Sequence, residues 1–136
     1  MNHYAAHFMK FMDENGIKYA DLGDDSIKVT YTGSNLATIP VYIFFDSDDQ
    51  PMAALKCWDI AIFPEDKRLS GILTCNELNV HYRWATFAIN QKNEVEVSID
   101  TYVDDVTCGA ECSVLVRRLV NIVDEAYPTI MKSIWA

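Results

Sequence analysis

The sequence predicts an α+β fold with a mainly antiparallel sheet, on three observations. Several segments alternate apolar with polar residues and are joined by short turns, which only antiparallel pairing permits. Apolar residues recur at helical spacing near the N-terminus, in the middle and near the C-terminus. The resulting order is helix, three or four strands, helix, two strands, helix, with no β–α repeat that would build a parallel sheet. A chain of 136 residues, half of them apolar, is long enough to bury one core, so 1–136 reads as a single domain.

Each element has its own warrant. Tyr4, Ala5, Phe8, Phe11 and Met12 form a helical stripe, and Asn15-Gly16 supplies a stop that tolerates positive φ. Ile17 to Ala20 reads as a short strand before the turn-rich "DLGDD". Ile27, Val29 and Tyr31 alternate with Lys28, Thr30 and Thr32 in a half-buried strand. "ATIPVYIFF" is apolar on both faces; Pro40 cannot donate to a ladder, so this strand starts near Val41 or has a free edge there. Met52 to Phe63 reads as one further strand.

Pro64 suits a first helical position, with Glu65 and Asp66 favourable to the helix dipole. Leu69, Ile72, Leu73 and Asn76 make the inward stripe of this second helix, which is expected to end near Asn79. Tyr82 to Ile89 and Val95 to Val103 read as strands around the turn "NQKN". Asp104 or Thr107 can cap a long last helix with the stripe Leu115, Leu119, Ile122, Val123, Ala126. Pro128 interrupts that pattern, leaving 129–135 as a kinked continuation or a separate turn.

Composition bounds the function. A net charge of −9 repels phosphate backbones, which argues against nucleic-acid binding. The longest uncharged apolar-rich run, Ser34 to Phe45, has 12 residues against the roughly 20 of a membrane span, so no membrane role is expected. "MNHYAAHFMK" lacks the pattern of a signal peptide, and the protein reads as cytoplasmic. In that compartment Cys57, Cys75, Cys108 and Cys112 are reduced and behave as small hydrophobes.

Chemistry finds little support. "DSDDQPMAALKC" starts like a calcium loop but has Pro51 and Cys57 where Gly and Glu are needed. His3/His7 and Cys108/Cys112 each stand four apart on a helix and could share an ion, yet the short ligand loop of zinc sites is missing; the expectation is no metal and no cofactor. Cys75 and His81 invite a nucleophile–base reading, for which the sequence supplies no geometry. No phosphate loop, GxSxG or HExxH occurs. In "LTCNELNVHYRW" (73–84), Asn76 continues the apolar stripe and Asn79 follows one turn later. Both carboxamides are therefore expected to clip backbone groups of a neighbouring strand or loop.

The chain resembles the YbjN-type family, bacterial proteins described as sensory transduction regulators. The matching residues are "FMDENGIKY" (11–19), "IPVYIFFD" (39–46), "PEDKRLSGILTCNELNVHYRWATFAI" (64–89) and "EAYPTIM" (125–131), of which the N-E-L-N run with the following aromatic strand is the most specific. The resemblance implies a fold similar to type III secretion chaperones, commonly dimeric and non-enzymatic, and carries over no catalytic residue.

Two functions compete. One is a non-catalytic regulator or chaperone-like module that binds a protein segment. The other is a small metal-binding or cysteine-dependent enzyme using Cys75/His81 or Cys108/Cys112. Strands apolar in both phases need two covers, supplied by the three helices or by a second copy in a homodimer. The contact residues expected on the sheet face are Tyr42, Phe44, Trp58, Tyr82 and Trp84.

Overall fold

The computed structural model describes residues 2–136. The elements run α1 (His3–Glu14), β1 (Ala20–Gly23), β2 (Ser26–Tyr31), β3 (Ile39–Phe45), β4 (Met52–Cys57), α2 (Arg68–His81), β5 (Thr86–Ile89), β6 (Val95–Tyr102) and α3 (Cys108–Trp135). The strands make one sheet in the order β1-β2-β3-β4-β6-β5, with every pairing antiparallel. The fold is thus the α+β architecture that periodicity predicts.

Local chemistry sets the helix ends. Asn2 caps α1 by accepting the N–H groups of Tyr4 and Ala5 at 2.8 and 3.2 Å. The helix stops at Asn15, with Gly16 at φ 65°. Before α3, the Asp104 carboxylate accepts the N–H groups of Val106 and Thr107 at 2.8 and 2.7 Å.

Pro128 does not end α3, which continues to Trp135 as one helix. Proline has no N–H, so it leaves the carbonyl of Asp124 without its helical donor. Asn35 Nδ2, in the loop between β2 and β3, donates to that oxygen at 2.9 Å. The Asp124 carboxylate accepts the backbone N–H groups of Ser34, Asn35 and Leu36 at 2.8–3.0 Å, and these bonds hold its pKa below the usual carboxylate range. Gly33 makes this approach possible, since a Cβ there would overlap the Asp124 side chain.

Three strand boundaries differ from expectation, and at Pro40 the free-edge alternative holds. β1 begins at Ala20 rather than Ile17. β4 ends at Cys57; residues 58–63 leave the ladder and touch the sheet again through a bridge from Ile62 to Glu94. β3 does extend over Pro40, but its pairing with β4 spans only Tyr42 to Phe45, so the proline meets only β2. β5 begins at Thr86 rather than Tyr82, because Trp84 takes φ 82° and breaks the extended run.

The helices lie on one face of the sheet instead of wrapping both. Ile27, Val29, Val41, Ile43, Leu55, Val97 and Ile99 point to that face and are buried with Phe8 and Met12 of α1 and Leu119, Val123 and Ile130 of α3. α2 sits at the β5 end, packed on β5 and α3. Its buried side is Gly71, Thr74, Cys75 and Leu78, not the expected Leu69, Ile72, Leu73, Asn76 stripe. Small residues let the helix approach: Gly71 lies against the Phe63 ring, and the hydroxyls of Thr74 and Ser133 share a 2.7 Å hydrogen bond.

Candidate protein-binding surfaces

The face of the sheet turned away from the helices carries residues of the other phase. The register places Lys28, Tyr42, Lys56, Ser98 and Thr86 side by side, one per strand from β2 to β5. The next row is Ser26, Phe44, Ala54 and Asp100. Trp58, just past β4, folds back over this face. Its ring stacks on Tyr42 at 4.3 Å between centroids and lies 6.1 Å from Phe44. Lys28 Nζ stands 5.5 Å from the Tyr42 ring centroid, and Lys56 pairs with Glu96 at 3.6 Å. The three aromatics are half-buried against one another. The result is an apolar island bordered by charges of both signs.

Tyr82 and Trp84, expected on the same face, lie elsewhere. The turn at Trp84 takes both residues out of the strand and so out of its alternation. Tyr82 Oη donates to Glu125 at 2.9 Å, and burial together with that carboxylate pushes the phenol up to about 12. Trp84 is 57 % exposed, with the Arg118 guanidinium 5.3 Å from its ring.

The two asparagines separate as well. Asn79 Oδ1 accepts the N–H of Phe87 at 2.6 Å, while its Nδ2 donates to the Phe87 carbonyl at 3.0 Å. It therefore satisfies both backbone groups of Phe87, which the edge strand β5 turns away from β6. Asn76 is exposed on the outer side of α2, one position of the misphased stripe.

That outer side is a surface in its own right. Leu69, Leu73 and Val80 are 68, 57 and 83 % exposed, with Ile72 beside them. Hydropathy alone assigns this stripe to the core. Only the small residues on the opposite side could have shown the correct phase.

The candidate chemical centres do not assemble. Cys75 is buried, with its thiol pushed up to about 11 by burial, whereas His81 is exposed at the end of the same helix. Six residues along an α-helix is a rotation of about 240°, so the two face different ways. Cys108 and Cys112 are both buried; the Cys112 thiol is pushed up first by its hydrogen bond to Cys108 and then by burial. His3 bridges two carboxylates instead of pairing with His7, with Nδ1 2.7 Å from Asp48 and Nε2 2.7 Å from Asp105. His7 Nδ1 accepts the Gly109 N–H at 3.3 Å. Among the described residues no group of three or more His, Cys, Asp or Glu is placed to hold a metal ion. No described helix is long and apolar enough to cross a membrane.

No family model matches the chain, and no curated protein matches it by sequence. Solved structures do. The ExsC–ExsE complex aligns at a TM-score of 0.66 and 10% identity, over 94% of this chain and 93% of that one. YbjN from E. coli aligns at 0.62 and 9%, over 89% of each. The Yersinia pestis type III secretion chaperone SycH, solved with a stable fragment of YscM2, aligns at 0.58 and 12%, over 88% of this chain and 97% of that one. The likeness agrees with the fold that the YbjN-type resemblance implies. At these identities it establishes architecture, and the chain has the fold of YbjN and the type III secretion chaperones.

Proposed function

We propose that this chain is a non-catalytic, chaperone-like regulator that binds a segment of another protein on the open sheet face and works as a cytoplasmic homodimer. The observation that carries the binding surface is the stacked cluster of Tyr42, Phe44 and Trp58 on the face no helix covers. Stacked aromatics with a charged border suit a desolvated anchor contact with a polar rim. Support for a protein as ligand comes from the structural neighbours. SycH is found with a fragment of YscM2, ExsC with ExsE, and SpcU of Pseudomonas aeruginosa with ExoU.

The dimer contact is assigned to the outer side of α2, which exposes Leu69, Ile72, Leu73 and Val80 in one stripe, whereas the aromatics of the sheet face are half-buried. An exposed Leu/Ile stripe on a helix is suited to a symmetric contact with its own copy. Affinity capture from native extract, wild type against Trp58→Ser, tests the binding surface. At least one captured protein should be lost in the variant, and an unchanged set contradicts the assignment.

A further inference from the structure

β6 is paired through to its C-terminal end on one side only. β4 pairs with it from Val97 to Tyr102, whereas β5 pairs from Val95 to Ser98 and then stops. The stop has a visible cause: the positive φ of Trp84 turns the chain away before β5 begins. Residues 99–102 therefore keep an open edge.

The hydrogen-bond parity of that edge follows from its neighbours. Asn90 donates to the Glu94 carbonyl across the β5 side, and Val103 donates to the Pro51 carbonyl across the β4 side. Antiparallel ladders alternate, so the N–H and C=O groups of Asp100 and Tyr102 face the open edge. The Tyr102 carbonyl already accepts the Thr101 hydroxyl at 3.0 Å and has a second lone pair.

Beside this edge, on the helix side, lies a groove of about 390 Å³ lined by Trp84, Thr101, Ala110, Glu111, Val114 and Leu115. A strand added at the edge would send the residue opposite Thr101 into the groove, and its neighbours to the other face. One of those neighbours would meet the exposed Asp100. Glu111 puts a second carboxylate on the lining, and Asp104 and Asp105 follow in the next loop, while Arg118 is engaged over the Trp84 ring.

We propose that the open edge of β6 is a strand-docking site for an extended segment of another protein, in which an apolar residue seated in the groove alternates with a basic residue facing Asp100. Backbone pairing would supply most of the affinity, and the groove and the carboxylate the selectivity. This site is separate from the aromatic cluster on the open face.

The test uses a short capped peptide alternating lysine with leucine, and its glutamate–leucine counterpart. Binding is followed by NMR with amide exchange. The lysine peptide should slow exchange at Asp100 and Tyr102 while leaving Thr101, which already faces β4, unchanged. The glutamate peptide should bind about tenfold or more weakly, and Val114→Glu should weaken the lysine peptide by a similar factor. Asp100→Asn, a mild surface change, should narrow the difference between the two peptides. Trp58→Ser should bind the lysine peptide as wild type does, so the edge and the open face fail independently. Binding without protection of the two amides, equal affinity for both peptides, or no binding at millimolar peptide would each overturn the proposal.

Discussion

Alternate residues of the same strands build the two faces of this sheet. Toward the helices stand Ile27, Val29, Val41, Ile43, Leu55 and Val97, aliphatic and buried. Away from them stand Lys28, Tyr42, Phe44, Lys56 and Glu96, where aromatic rings stack within a border of charges. Aliphatic side chains interdigitate with helices and fill space tightly. Flat rings bordered by charged groups instead suit a surface that can be covered and uncovered. The difference separates what holds the fold from what is available to a partner, and substitutions on either side can break it.

The largest effect should come from the covered face. Ile43→Ala, at a fully buried position, should cost about 2–5 kcal/mol in denaturant unfolding. An unchanged midpoint would show that this face is not the core. Next is the edge of the sheet: Asn79→Ala should cost about 1–3 kcal/mol, because two backbone groups of Phe87 lose their partners. Asn76→Ala, one turn earlier and exposed, should stay within about 0.5 kcal/mol of wild type. Similar losses for both asparagines would contradict the phase of α2.

On the open surfaces the effect should move from stability to association. Leu73→Asp should unfold near the wild-type midpoint yet sediment as a monomer, whereas the proposed contact predicts a dimer for wild type. A wild type that stays monomeric at high micromolar concentration would remove the dimer.

The smallest effect concerns the tie from α1 to two loops. The hydrogen bond to Asp48, with a further one to Asp105, raises the pKa of His3, while the His3 backbone N–H and ring lower that of Asp48. For histidine the stabilisation is complete below about pH 6.5 and is lost as pH rises through the higher folded value. For Asp48 it is present above the ordinary carboxylate range and lost as pH falls through the depressed one. The tie is whole between those limits. An NMR titration of His3 should give a midpoint above 6.5, and one at or below it would show that the carboxylates do not hold the ring.

Much of the fold was legible in the sequence, for physical reasons that also explain the failures. Period-2 alternation and short turns gave the element order, because both are local. α3's passage through Pro128 was not legible, since it depends on an Asn35 donor 89 residues away from Asp124. The phase of α2 was misread because hydrophobicity marks Leu69, Ile72 and Leu73, whereas close packing selected Gly71, Thr74 and Cys75. Tyr42, Phe44 and Trp58 could be grouped from strand phase. Tyr82 and Trp84 could not be separated from them, because no local signal announces a tryptophan at positive φ.

The central claim is that the aromatic face is the part of the molecule a protein partner covers. It is tested most directly with Trp58 as the sole tryptophan, after Trp84→Phe and Trp135→Phe, titrated with a partner recovered by affinity capture. The account predicts that Trp58 emission moves to shorter wavelength and becomes protected from a soluble quencher, saturating with the partner. A Trp58 as quenchable in the complex as in the free protein would contradict it.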